Sequence, residues 1–273
     1  PAARDPQRAF LDDHGHKLLT SGWTVAPNVP HYLSSMRRIV DKQPRRYAGC
    51  TEISHLGESG QPVLQFDCIF QQYPTGYRPV HTGDGLRQAV AGIQRGDRQQ
   101  APQYALDLAE RQLKMFRSAC TPPSGTPSLH MLRSSNTVVP ENSLIHSGRG
   151  VQRQVGHLEA TPLVLPSATV QPQGIVMITP LDGDANIWIY PLEKIAALGR
   201  LPTRAEFLTG AQKRIIPLGS SLYMRYDTPH AGGTSSGLRS HCLITDGDPP
   251  RGRQSTHMLM VRPPKMVRPP SLA

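Results

Sequence analysis

Three short stretches of this 273-residue chain carry side chains that could act together on a metal. The first is Gln154-Val155-Gly156-His157-Leu158-Glu159. Residues two apart on a strand share a face, so His157 and Glu159 can offer an imidazole and a carboxylate to neighbouring positions on one ion. The second is Asp227-Thr228-Pro229-His230, which supplies another imidazole 73 residues later. Two histidines and one carboxylate form the ligand set of non-haem iron(II), which keeps positions open for a co-substrate and oxygen. The third is Arg239, nine residues after His230. A turn through the glycine-rich stretch 232–237 would bring Arg239 onto the next strand, facing the same interior. There a guanidinium can clamp a carboxylate through two parallel hydrogen bonds. His241 would share its face, and both lining the pocket and packing behind the ligands are open to it. Singly, each histidine is an ordinary polar residue; the ordered combination is what points to metal chemistry.

These side chains need strands to hold them. After residue 126 short apolar runs alternate with turn signals: Val138-Val139, Val151–Val155, Leu163–Leu165, Ile175–Ile178, Ile187–Tyr190, Arg214–Ile216, Ser221–Tyr226 and Ser240–Thr245. About eight strands in roughly 120 residues is what a double-stranded β-helix, a cupin-like jelly roll, requires. The fold class is therefore mainly β with N-terminal helices, in a single domain. Residues 126–246 form the double-stranded β-helix core, interrupted by a helix-like insertion at 192–199. Residues 1–125 read as a helical support region with a few strands. Its helices fall at 5–20, 31–42 and 101–120, the last with Ala105, Leu108, Ala109, Leu113 and Phe116 at helical spacing. Its strands are a short one after Gly22 and one over 62–70. Residues 247–273 form a Pro/Arg-rich extended tail with Val-Arg-Pro-Pro at 261–264 and again at 267–270, suited to wrapping onto the domain or binding a partner. Asp182-Gly183-Asp184 and Asp246-Gly247-Asp248 lack a full calcium ligand series and read as hairpin turns.

Composition narrows the classes further. Pro and Gly together number 51, which suits many short strands and turns. The formal charge is +10, with 24 arginines against six lysines. Such a balance is compatible with an acidic or nucleic-acid partner, or with a solvated basic surface. Arg37, Arg38, Arg45 and Arg46 make the most concentrated basic strip. Aromatic residues amount to 5%, which argues against a large base-stacking surface. Cys50, Cys68, Cys120 and Cys242 are far apart and read as buried thiols. No apolar run reaches the roughly 18 residues of a membrane-spanning helix. The chain begins Pro1-Ala2-Ala3-Arg4 with no visible signal peptide; an intracellular protein, or one trimmed of a targeting segment, is the expectation.

Together these residues make the chain resemble the iron(II)- and 2-oxoglutarate-dependent oxygenases, most of all their phytanoyl-CoA hydroxylase-like or prolyl-hydroxylase-like branches. In that family a His-x-Asp/Glu pair opens the barrel, a distal histidine closes the triad, and an Arg or Lys some ten residues on binds the far carboxylate of 2-oxoglutarate. His157, Glu159, His230 and Arg239 match these roles in turn. Ile215–Tyr223 is similar to the family's glycine–strand–histidine run, and Leu18–Val25 to its opening, so the likeness extends over 18–245. It implies iron(II) and 2-oxoglutarate as cofactors, O2 as co-substrate and hydroxylation of a C–H bond in an unidentified substrate. Tyr223 and Trp188, with Tyr190 and Tyr226, become candidates for the wall of the cofactor pocket. Two departures stand out. Glu159 occupies a position where Asp is commoner, and Trp188-Ile189-Tyr190-Pro191 replaces the Pro-Gly-Ser-His turn of phytanoyl-type members. Two other readings remain open: a non-catalytic β-helix protein serving as a structural or binding subunit, for instance of an RNA-containing assembly, and a metal-dependent cupin enzyme that does not use 2-oxoglutarate. Cupins of that kind usually bind metal through three histidines, and Arg239 would then lack a role.

Overall fold

Apolar runs from both halves of the sequence pair into two antiparallel sheets in the computed structural model. It describes residues 14–42, 52–56, 62–71, 100–120, 129–147, 153–160, 162, 164–233, 237–247 and 257–258. The strands are β1 (Trp23–Pro27), β2 (Glu52–Leu56), β3 (Pro62–Gln71), β4 (Thr137–Ser147), β5 (His157–Leu158), β6 (Gly174–Pro180), β7 (Ala185–Ile189), β8 (Gln212–Ile216), β9 (Ser220–Arg225), β10 (His230–Gly232), β11 (Gly237–Asp246) and β12 (His257–Met258). The major sheet has seven strands in the order β1-β9-β6-β11-β4-β3-β2, the minor sheet five in the order β12-β5-β10-β7-β8. The helices are α1 (described over 14–20), α2 (Tyr32–Lys42), α3 (Gln100–Ala119), α4 (His130–Arg133), α5 (Leu192–Leu198) and α6 (Arg204–Gly210).

The layers follow from residue parity along the strands. In β6, Ile175 and Met177 pack outward with Tyr223, Cys242 and Ile244 against Tyr32, Met36, Leu113 and Phe116 of α2 and α3. Val176 and Ile178, one residue out of phase, turn inward to meet Leu222, Met224, Ile187, Ile189 and Ile216. β6 is therefore buried on both faces, and all seven of its residues are buried. The minor sheet is covered in the same way: Leu158, Tyr190 and Ala231 face outward onto Leu192, Ile195 and Phe207 of α5 and α6. The result is a double-stranded β-helix with an apolar interior and a helical layer on each side.

This agrees with the expected fold class, and eight of the strands fall between Thr137 and Asp246. Three details differ from the sequence reading. Val164 and Leu165 are exposed and outside any strand; the pairing falls instead on the two-residue β5 and the three-residue β10. Asp182-Gly183-Asp184 joins β6 of one sheet to β7 of the other, so it is a crossover and not a hairpin. Its carboxylates accept from the backbone amides of Leu238 (2.7 Å) and Leu218 (2.8 Å). β1, β2 and β3, from the first 125 residues, belong to the major sheet. From the tail, β12 pairs with β5, with Met258 opposite His157. The start of the 5–20 helix, Arg45, Arg46 and both Val-Arg-Pro-Pro segments lie outside the described residues.

Helix α6 went unread in the sequence although Thr203-x-x-Glu206 is a capping-box signature. Thr203 caps the helix and Glu206 returns to the Thr203 amide at 2.7 Å. Arg200 holds both carboxylate oxygens at 2.8 and 2.7 Å. The Arg200 hydrogen bonds, then those from Thr203, hold the Glu206 carboxyl down at about 2 against an ordinary 4.5. A carboxyl whose folded value lies below its unfolded one stabilises at higher pH, and that stability is lost as pH falls through the window between about 4.5 and about 2. Glu206→Gln is expected to flatten acid unfolding in that window, and Thr203→Ala to cost roughly 1 kcal/mol at neutral pH; denaturant melts across pH check both.

Candidate metal centre

The minor sheet places two imidazoles side by side. β10 lies between β5 and β7, with His230 directly opposite His157. Antiparallel partners point to one face, and here that face is the interior. The rings sit 4.4 Å apart between centroids, on residues 8% and 3% exposed. Each Nδ1 is bound to a carbonyl two residues earlier: His157 to Val155 at 2.8 Å, His230 to Thr228 at 3.0 Å. A carbonyl only accepts, so each Nδ1 carries the proton and each Nε2 keeps its lone pair for a metal.

Glu159 follows β5 and donates its amide to the Tyr226 carbonyl at 3.0 Å. Its Oε1 lies 3.2 Å from His230 Nε2 and 3.3 Å from His241 Nε2. One ligand atom from each of His157, Glu159 and His230 falls within 4.8 Å of the other two. An imidazole lone pair facing a carboxylate oxygen in a largely dry site is unfavourable unless a cation or proton lies between them. Two ligands at metal–ligand distances of about 2.1 Å and a right angle are about 3 Å apart, so the 3.2 Å separation of His230 Nε2 and Glu159 Oε1 suits adjacent positions on one ion. Burial alone would raise the Glu159 carboxyl; an N–H or positive charge at His230 Nε2 and at His241 Nε2 lowers it well below the usual range, and with His230 Nε2 unprotonated a metal cation between the two groups would take the place of that charge. A ligand carboxylate must be ionised, and a cation between Glu159 and His230 favours that form.

The turn carrying His230 is fixed by an ion pair that the sequence reading missed. Arg225, fully buried, grips both oxygens of Asp227 at 2.8 and 2.7 Å. Its remaining nitrogen donates to the carbonyls of Leu19 (3.1 Å) and Ser167 (2.8 Å). Thr228 Oγ1 donates to the Gly22 carbonyl at 3.1 Å. Gly22 has φ +87°, and a Cβ there would stand 2.4 Å from that hydroxyl. Only glycine fits, which ties the start of β1 to the β9–β10 turn. The Arg-x-Asp spacing just before His230 was the available signal.

Arg239 lies on β11, whose register with β4 is unbroken from Gly237 to Leu243. Arg239, His241 and Leu243 therefore share a face, and it is the interior one: His241 meets Glu159, and Leu243 packs against the inner cluster. Arg239 stands one pleat, about 7 Å, along the strand from His241. The structure thus assembles His157, Glu159, His230 and His241, with Arg239 on the same interior face.

Three of the four expected pocket residues lie elsewhere. Tyr223 faces outward from β9, stacked on Phe116 with centroids 3.6 Å apart, and accepts from Gln112 Nε2 at 3.0 Å. Trp188 points out of β7, with the Arg153 guanidinium 4.2 Å above its ring. Tyr190 packs with Phe207 in the same outer layer, whereas Tyr226 belongs to the inner cluster. Tyr223→Phe is accordingly expected to cost about 1 kcal/mol of stability through the lost hydrogen bond and to leave metal affinity unchanged, as a chemical melt and a metal titration would report. Of the basic strip, Arg37 and Arg38 are exposed, and Arg37 Nε donates to the Leu181 carbonyl. Cys120 and Cys242 are buried thiols that form no disulfide. Among the described residues no helix is long and apolar enough to cross a membrane.

No family model and no curated protein matches the sequence. Among solved structures, the chain is similar to EvdMO1 at 12% identity and a TM-score of 0.50, over 88% of this chain and 50% of that one. It also matches the non-heme alpha ketoglutarate dependent carbocyclase SnoK from nogalamycin biosynthesis (12% identity, 86% and 84% covered, TM-score 0.47). A third match is a Pseudomonas putida prolyl-4-hydroxylase (14% identity, 86% and 98% covered, TM-score 0.44). The likeness to EvdMO1 is one of fold, and the chain spans half of that protein's length.

Proposed function

We propose that this chain is an iron(II)- and 2-oxoglutarate-dependent oxygenase that hydroxylates a C–H bond of a substrate yet to be identified. The observation that carries the reading is the convergence of His157, Glu159 and His230, one ligand atom each within 4.8 Å, on the inner face of a double-stranded β-helix. Iron bound there would supply oxygen activation coupled to oxidative decarboxylation of 2-oxoglutarate to succinate. The protein's own part is positional. The carbonyls of Val155 and Thr228 hold both imidazoles with Nε2 presented. Glu159 contributes the single negative charge of the ligand set. Ile189, directly opposite His230 in the minor sheet, joins Val176, Ile178 and Ile187 in the apolar interior.

Arg239 is the residue that would bind the far carboxylate of the co-substrate, through a planar fork that Lys does not reproduce. Losing one partner of a buried charge pair costs on the order of 2–5 kcal/mol, which converts to roughly 30-fold to several thousand-fold in affinity. Arg239→Ala is expected to keep its metal while the 2-oxoglutarate dissociation constant rises at least about tenfold. Calorimetric titration of the metal-loaded variant checks this. The functional test is succinate release from 2-oxoglutarate by iron-loaded protein; a protein that binds neither metal nor 2-oxoglutarate would instead be a structural or binding subunit.

A further inference from the structure

We propose that His241 is a positioning residue: it reaches across from the major sheet to fix the Glu159 carboxylate in its metal-binding orientation. The inference rests on the metal-centre reading above and adds a fourth side chain to it. Glu159 Oε1 lies between two imidazole nitrogens that belong to different sheets, His230 Nε2 at 3.2 Å from the minor sheet and His241 Nε2 at 3.3 Å from the major one. The group of potential ligands comprises His157, Glu159 and His230, and His241 stands beside it.

The need for such a partner follows from the side chain. Glutamate has one methylene more than aspartate and therefore one more torsion to order before its oxygen can serve as a ligand. Glu159 also sits just past the end of the two-residue β5, where one amide bond to the Tyr226 carbonyl holds the backbone and the side chain beyond it still has to be ordered. A carboxylate oxygen has lone-pair directions to spare, so Oε1 can accept an N–H from His241 and still face a metal on the His230 side. His241 is well placed to be that donor. It sits mid-strand on β11, paired with Ile178 of β6 on one side and Ser143 of β4 on the other. Its side chain is 15% exposed and that of Glu159 16%, so water competes weakly for the contact. Outer partners of this kind govern metal affinity by holding the ligand in place.

The test uses cobalt(II), a spectroscopic stand-in for iron(II), titrated into the full chain as wild type, His241→Ala and His241→Gln, alone and in the Glu159→Asp background. Circular dichroism monitors folding of each variant. His241→Ala is expected to weaken cobalt binding by roughly 10- to 100-fold. His241→Gln, whose amide restores an N–H donor at similar reach, is expected to recover most of that loss. In the Glu159→Asp background the shorter carboxylate no longer reaches His241, so His241→Ala should cost much less there; that non-additivity is the signature of a direct partnership. Equal affinity of folded His241→Ala and wild type would overturn the proposal while leaving the metal centre intact. A His241→Gln variant as weak as His241→Ala, with an altered cobalt d–d spectrum, would also overturn it, by making His241 a ligand in its own right. A wild type that binds no cobalt would remove the metal centre itself.

Discussion

His157→Ala and His230→Ala should each lose the metal while the protein stays folded. Each imidazole is locked through Nδ1 to its own backbone, at Val155 and Thr228, so its Nε2 is committed to the interior. Removing an outer partner of a metal ligand already costs about 10- to 100-fold in affinity; removing a ligand outright should cost more than that upper value. The fold should survive because the apolar work is done elsewhere. The inner cluster, from Val176 to Tyr226, and the outer clusters beneath α2 and α3 and beneath α5 and α6 do not include either histidine. In the metal-free protein His230→Ala also removes an imidazole that faces the Glu159 carboxylate at 3.2 Å. Anaerobic titration with iron(II), beside far-ultraviolet circular dichroism, separates loss of metal from loss of structure. Full metal occupancy in both variants would remove the triad.

The second large effect is on stability. Arg225→Met leaves the Asp227 carboxylate, 7% exposed as a residue, without its bidentate partner, and it strips donors from the carbonyls of Leu19 and Ser167. Removing one member of a buried ion pair costs about 3–5 kcal/mol, because the survivor is a buried charge. At roughly 2–4 °C per kcal/mol for a chain of this size, the melting temperature should fall by about 6–20 °C. Arg225→Met combined with Asp227→Leu should cost less than the single Arg225 change, since no charge is then stranded. The consequence reaches the site. Asp227 and Thr228 form the turn into His230, so a loosened turn should weaken metal binding as well. Calorimetry of the wild type and the two variants gives the stabilities, and an unchanged melting temperature for Arg225→Met would show that the pair contributes nothing net.

The sequence displayed the ligands more clearly than their surroundings, for a physical reason. Ligands are chemically scarce: His-x-Glu, a distal His and an Arg nine residues on are legible as types and spacing, and His157, Glu159 and His230 do converge. The pocket wall is not legible in that way. Alternation in β9 tells that Leu222 and Tyr223 face opposite ways, but helices cover one face of the major sheet and the barrel interior lies on the other. Both faces are apolar, so parity alone does not say which one looks in, and Tyr223 turned out to stack on Phe116. Trp188 was misplaced for the same reason on the minor sheet. Strands as short as β5 and β10 offer too few residues for a periodicity, and the exposed Val164 and Leu165 attracted an assignment instead. The Arg225–Asp227 pair was hidden differently. Its partners Leu19 and Ser167 are 206 and 58 residues away, and backbone carbonyls leave no mark in sequence.

The most direct test of the central claim is an anaerobic titration of the metal-free protein with iron(II) and then 2-oxoglutarate, followed by visible absorption. A 2-oxo acid chelated to iron(II) gives a weak charge-transfer band that neither component gives alone. The expected result is a band that saturates at one equivalent of each, disappears in His157→Ala and His230→Ala, and in Arg239→Ala requires far more 2-oxoglutarate to develop. Iron binding with no such band at any 2-oxoglutarate concentration, or no iron binding at all, would contradict the assignment.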